Sequence, residues 1–118
     1  IGQMFENIPT HLAVDDIATL TATASNLAST FATAIDLSGA GGDVAFTLDD
    51  GTDVGQLKII FASTEPASTY VANVTVSSWG YSADTTNQII LDTRGEAVIC
   101  FWNGSSWFPV STVNATIS

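Results

Sequence analysis

The stretch Ala97-Val98-Ile99-Cys100-Phe101-Trp102-Asn103-Gly104-Ser105-Ser106-Trp107-Phe108-Pro109-Val110 decides the fold class. Asn-Gly between two apolar runs is a strong hairpin signal, because a type I′ turn needs positive φ at both central residues. A two-residue loop at Asn103-Gly104 predicts pairing of Trp102 with Ser105, Cys100 with Trp107 and Ile99 with Phe108. One face then carries Val98, Cys100, Trp102, Trp107 and Pro109. The other carries Ile99, Phe101, Phe108 and Val110. A hairpin with one wet face alternates apolar and polar residues, and this one does not. Both faces are therefore expected to be covered. One meets an opposing sheet, and the other meets a loop, a ligand or a neighbouring subunit. Phe101, Trp102, Trp107 and Phe108 are the candidate oligomer interface. Pro109 lacks a ladder donor, which predicts an edge strand or a bulge there.

Working outward, strand patterns recur between turns. Val44, Phe46 and Leu48 alternate with Ala45 and Thr47, and Leu57, Ile59 and Phe61 with Gln56 and Lys58. Tyr70, Ala72, Val74 and Val76 follow, then Ile89-Ile90-Leu91 before the turn Asp92-Thr93-Arg94-Gly95. Residues 17–37 allow two readings. Ile17, Leu20, Ala24, Leu27, Phe31 and Ala34 fit a heptad seam. The density of threonine and the alternation of Ala18, Leu20 and Ala22 favour two strands, about 18–24 and 30–37. Regularly spaced short strands predict an all-β fold, an antiparallel β-sandwich of jelly-roll type over residues 17–118. Residues 1–16 read as an extended N-terminal arm, with Met4, Phe5, Ile8 and Leu12 as large apolar side chains in need of a docking surface. No fixed-period repeat is evident.

The chain has 118 residues, the size of one domain. It carries twelve acids against Lys58 and Arg94 alone, a net charge of −10. That balance argues against nucleic acid, whose affinity for proteins comes largely from Lys and Arg releasing counterions. It argues equally against an anionic membrane surface. No run of about 18 apolar residues predicts a membrane span, and no basic stretch before an apolar run predicts a signal peptide. The single cysteine, Cys100, excludes an intrachain disulfide and reads as a small buried hydrophobe.

The inventory for catalysis is thin. His11 is the only histidine, lies in the arm and has no Gly-x-Ser-x-Gly nearby, so no catalytic role is assigned to it. Asp49, Asp50 and Asp53 flank Gly51, but their spacing is not that of an EF-hand loop, and a solvated turn explains them. Glu65 and Glu96, the only glutamates outside the arm, single out no carboxylate pair. No enzyme activity, cofactor or metal is expected. Trp79 and Tyr81, in a connection between strands, are the alternative glycan contact.

The run Leu20-Thr21-Ala22, Phe31-Ala32-Thr33-Ala34-Ile35-Asp36-Leu37, Val44-Ala45-Phe46-Thr47-Leu48 and Gly55-Gln56-Leu57-Lys58-Ile59-Ile60-Phe61, closing on the Trp102-Asn103-Gly104 and Trp107 element, resembles β-rich structural domains of tailed bacteriophages, notably marine and cyanobacterial ones. The resemblance covers most of the chain except the arm. It implies a virion protein on the outer surface of the phage head, a homotrimeric capsid decoration (cement) subunit. Its arm would then dock on the major capsid protein. The alternative it implies is a receptor- or glycan-binding module of a tail fibre or head fibre.

Overall fold

The computed structural model describes residues 17–25, 27–81 and 86–118. Among the described residues, nine strands form two sheets: β1 (Ile17–Leu20), β2 (Ala32–Ile35), β3 (Val44–Leu48), β4 (Leu57–Ala62), β5 (Ala72–Val76), β6 (Gln88–Leu91), β7 (Ala97–Trp102), β8 (Trp107–Val113) and β9 (Thr116–Ile117). The first sheet has the order β1-β2-β4-β7-β8, and the second β3-β5-β6-β9. A short 3-10 turn, Leu27–Ser29, lies between β1 and β2. The described residues of 17–37 therefore carry two strands and no α-helix, as threonine density favours, although the strands are shorter than the sequence suggests.

The sheets are mixed, which corrects the expectation of a purely antiparallel sandwich. β1, β2 and β4 run parallel, as do β3 and β5. Parallel neighbours need a crossover. Here the crossover is a strand of the opposite sheet, so β2, β3, β4 and β5 alternate between sheets like the turns of a flattened coil. Successive turns are offset by 28 residues at several points. Val44 aligns with Ala72. Lys58 Nζ donates to the Thr30 carbonyl at 3.0 Å and Gln56 Nε2 to the Ala28 carbonyl at 2.9 Å. The Val71 amide donates to Asp43 Oδ1 at 3.0 Å. β6, β7, β8 and β9 then close the coil with antiparallel pairs.

The core lies between the sheets. Phe46, Leu48, Val74, Val76, Ile89 and Leu91 from one sheet meet Ile35, Ile60, Val98 and Cys100 from the other. Each such side chain contributes roughly 1.5–3 kcal/mol on burial. Lys58 is fully buried among them and stands opposite Cys100. Its ammonium also donates to Thr30 Oγ1 at 2.9 Å and Thr33 Oγ1 at 2.6 Å. Three donors thus meet three oxygens, which offsets the cost of burying the group. Among the described residues no helix is long and apolar enough to cross a membrane.

Candidate functional site

The hairpin forms, but its turn is one residue later than expected. The Asn103 amide donates to the Ser106 carbonyl at 3.1 Å, so Gly104 and Ser105 are the central residues. Only Gly104 has positive φ, 103°, at the first central position where a II′-like turn wants glycine. Asn103 instead uses its side chain. Its Oδ1 accepts from the Ser105 amide at 2.9 Å and the Ser106 amide at 2.8 Å. Sequence reading places Asn103 inside the turn, whereas its capping role places it before.

The later turn makes Trp102 pair with Trp107, Phe101 with Phe108 and Cys100 with Pro109. These three partners each move by two residues, so the faces keep their members. A bulge follows Pro109 at Val110, because Ile99 pairs with Ser111. This fits the missing proline donor.

The four candidate interface residues divide between the two faces. Trp102 and Trp107 point inward, are 5% and 0% exposed, and stack at 5.3 Å with their planes tilted by 56°. Trp107 Nε1 donates to the Asp49 carbonyl at 2.8 Å, and Gly51 lies against the Trp102 ring. Both tryptophans are core and do not line a free surface, which corrects their assignment to an interface. Phe101 and Phe108 point outward, with Phe108 38% exposed.

The outer face of this five-stranded sheet is apolar across its width. One row runs Ile17, Ala32, Ile59, Ile99, Ser111. A second runs Thr19, Ala34, Phe61, Ala97. A third runs Leu57, Phe101, Phe108. Thr19 and Ser111 supply the only polar side chains in these rows, and none carries a charge. No described strand or helix forms a third layer over them, yet Ala32 and Ala34 are buried, and of the large apolar side chains in these rows only Ile17 and Phe108 are exposed. The second sheet differs. Its outer face presents Ala45, Thr47, Asn73, Thr75, Gln88, Ile90 and Thr116. Hydroxyls and amides suit that face to water. The described acids lie in turns or next to strand ends.

The other candidates are more modest. Trp79 is half-buried, and its Nε1 donates to the Ser118 carbonyl at 3.1 Å. It pairs with Trp107, since the Trp107 amide donates to the Ser78 carbonyl and the Gly80 amide to the Trp107 carbonyl. Residues 78–80 thereby shield the β8 edge, and the Phe108 ring lies on Gly80. Trp79 and Tyr81 are 6.2 Å apart and tilted by 50°, so they form no single flat platform. Tyr81 borders an open cleft of about 450 Å³ with Pro109, Val110, Thr112 and Ile117.

Among the described residues no three of His, Cys, Asp and Glu gather as a metal site, so Asp49, Asp50 and Asp53 form none. Glu96 is buried and accepts from the Asp92 amide at 2.6 Å, closing its own turn. Burial, with the nearby Asp92 charge, raises its pKa. Burial also pushes the Cys100 thiol up to about 12, only partly opposed by the Lys58 charge, so the thiol stays protonated and inert. His11 and the arm residues Met4, Phe5, Ile8 and Leu12 lie outside the described residues. The chain matches no protein-family model, and no curated protein matches it significantly.

Proposed function

We propose that this chain is a non-enzymatic structural subunit of a virus particle, a capsid decoration protein that binds the phage head shell and stabilises it. The observation that carries the reading is the contrast between the two outer faces. One is hydroxyl-rich, and the other is apolar across five strands. A contiguous apolar face on an otherwise strongly acidic chain marks a surface that is covered in the working state. The sequence resemblance to phage structural domains supplies the setting, a homotrimer on the outer head surface. The arm, with Met4, Phe5, Ile8 and Leu12, is the segment proposed to dock on the major capsid protein. Net charge −10 would keep the decorated particle dispersed. The alternative is a fibre module that binds glycan through Tyr81 and the cleft beside β8.

The test is co-sedimentation of the purified chain with undecorated heads of the phage that encodes it, followed by electron microscopy of labelled particles. Density at regular positions on the shell supports decoration. Label confined to tail or fibre tips, or glycan binding abolished by Tyr81→Ala, supports the alternative.

A further inference from the structure

We propose that the Asn103-Gly104 hairpin tip is a self-modification site, where the folded chain converts the Asn103 amide to a carboxylate that keeps the same hydrogen bonds. The inference goes beyond the decoration reading and does not depend on it, because it rests on the turn alone.

The chemistry is a ring closure within one dipeptide. The Gly104 backbone nitrogen attacks Asn103 Cγ and forms a C–N bond, while the Cγ–Nδ2 bond breaks. The Gly104 amide proton leaves with the Nδ2 group as ammonia, and a cyclic succinimide remains. Water then opens the ring at either carbonyl. Attack at Cγ restores the ordinary main chain with an aspartate side chain. Attack at the main-chain carbonyl carbon of Asn103 gives isoaspartate, in which the chain runs through Cβ and Cγ.

The tip presents both reacting groups. Gly104 has no Cβ to crowd its nitrogen, and among the described residues its amide donates to no backbone group. Asn103, Gly104 and Ser105 are exposed, so hydroxide and water reach them. Asn103 Oδ1 accepts from the Ser105 amide at 2.9 Å, the Ser105 hydroxyl at 3.1 Å and the Ser106 amide at 2.8 Å. Donors that converge on a carbonyl oxygen stabilise the oxyanion formed when its carbon is attacked. The other described asparagines lack this setting. Asn73 lies inside β5 and precedes branched Val74. Asn87 precedes Gln88, whose amide is engaged by the Ser118 carbonyl at 3.0 Å, and Asn114 precedes Ala115.

The same donors direct the hydrolysis. They make Cγ a better electrophile than the main-chain carbonyl carbon, so the ring opens to aspartate. That product fits the turn, because a carboxylate accepts from the same donors through stronger, charge-assisted bonds. Isoaspartate would lengthen the backbone between β7 and β8. It would disturb the bond from the Asn103 amide to the Ser106 carbonyl and the Trp102–Trp107 pair beside it. The conversion adds one negative charge to a chain already at −10, at a tip that packs against Val54.

The test ages the full chain in mildly alkaline buffer, folded and in denaturant, beside the variant Asn103→Asp. Isoelectric focusing follows charge. Peptide mapping with electron-based fragmentation locates the change and separates aspartate from isoaspartate. The folded chain is expected to gain one negative charge at Asn103 before Asn73, Asn87 or Asn114 changes, with aspartate in excess over isoaspartate. In denaturant, where the three donors are gone, that excess is expected to be lost. Asn103→Asp should gain no charge at this position and melt at or above the temperature of the natural chain at neutral pH. A folded chain that keeps the Asn103 amide while the denatured chain loses it overturns the inference, since the fold then protects the site. Isoaspartate in excess from the folded chain, or a lower melting temperature for Asn103→Asp, also overturns it.

Discussion

Phe101 and Phe108 stand opposite each other on the outer side of the β7–β8 hairpin, while the next pair, Trp102 and Trp107, stands opposite on the inner side. One step along the strands thus separates a tryptophan pair that closes the core from a phenylalanine pair that faces outward. Their substitution should have different consequences. Trp107→Ala removes a fully buried indole and its bond to the Asp49 carbonyl, and is expected to cost about 3–5 kcal/mol in denaturant unfolding. Phe108→Ala should cost about 1 kcal/mol in the isolated chain, yet weaken association. Equal stability losses would contradict the assignment of faces.

The approach of Gly51 to Trp102 gives a second expectation. A Cβ at Gly51 would lie 2.4 Å from the Trp102 ring. Gly51→Ala must displace that indole or the loop and should destabilise by about 1–3 kcal/mol. Gly41→Ala meets nothing within 4 Å and has no positive φ, so it should be neutral or stabilise by up to about 1 kcal/mol. Melting temperatures of the two variants check the contrast.

The hairpin was readable because its faces depend only on strand alternation. Moving the turn from Asn103-Gly104 to Gly104-Ser105 changed the partners of Cys100, Phe101 and Trp102 by two residues, and the bulge made it three for Ile99, yet these side chains stay on their expected sides. The turn itself was misplaced because Asn103 serves either as a positive-φ turn residue or as a side-chain acceptor, and sequence does not choose between them. The parallel winding was hidden for a different reason. Alternation in Val44–Leu48 and Ala72–Val76 marks both as strands but not as neighbours. Apolar inward positions such as Phe46 and Val74 are interchangeable enough that an offset of 28 residues leaves no repeat in the sequence. Buried Lys58 was equally silent, since its three oxygens come from Thr30 and Thr33 on a different turn of the coil.

Two carboxylates give opposite pH effects. Asp36 accepts from the Ser38 hydroxyl at 2.7 Å, the Ser38 amide at 3.0 Å and the Thr64 hydroxyl at 2.8 Å, which lower its pKa. Its stabilising contribution is present above the ordinary carboxylate pKa of about 3.9 and is lost as pH falls through the lower folded value. Glu96 is raised, first by burial, so its ionised form disfavours the fold at neutral pH. That penalty fades as pH falls through the raised value toward the ordinary one. Glu96→Gln keeps an oxygen for the Asp92 and Thr93 amides and removes the charge. It should match or exceed the natural chain's melting temperature at pH 7, and gain less on moving from pH 7 to pH 5. A lower melting temperature at pH 7 would contradict the assignment.

Cys100 is buried and its thiol is held protonated by burial. A thiol reagent at pH 8 should leave the native protein unmodified and label one site per chain after unfolding. Rapid native labelling would mean that the two sheets part more readily than this core allows.

Deleting residues 1–14 should leave the Trp102–Trp107 near-ultraviolet signal intact and abolish attachment to heads. A truncated chain that still attaches would remove the arm from the docking role.

The central proposal is that this chain works as an oligomeric structural subunit, a homotrimer. Light scattering of the unmodified chain at micromolar concentration tests it most directly. The account predicts a single oligomeric species, three chains if the homotrimer proposal holds. A clean monomer of 12.3 kDa would contradict it.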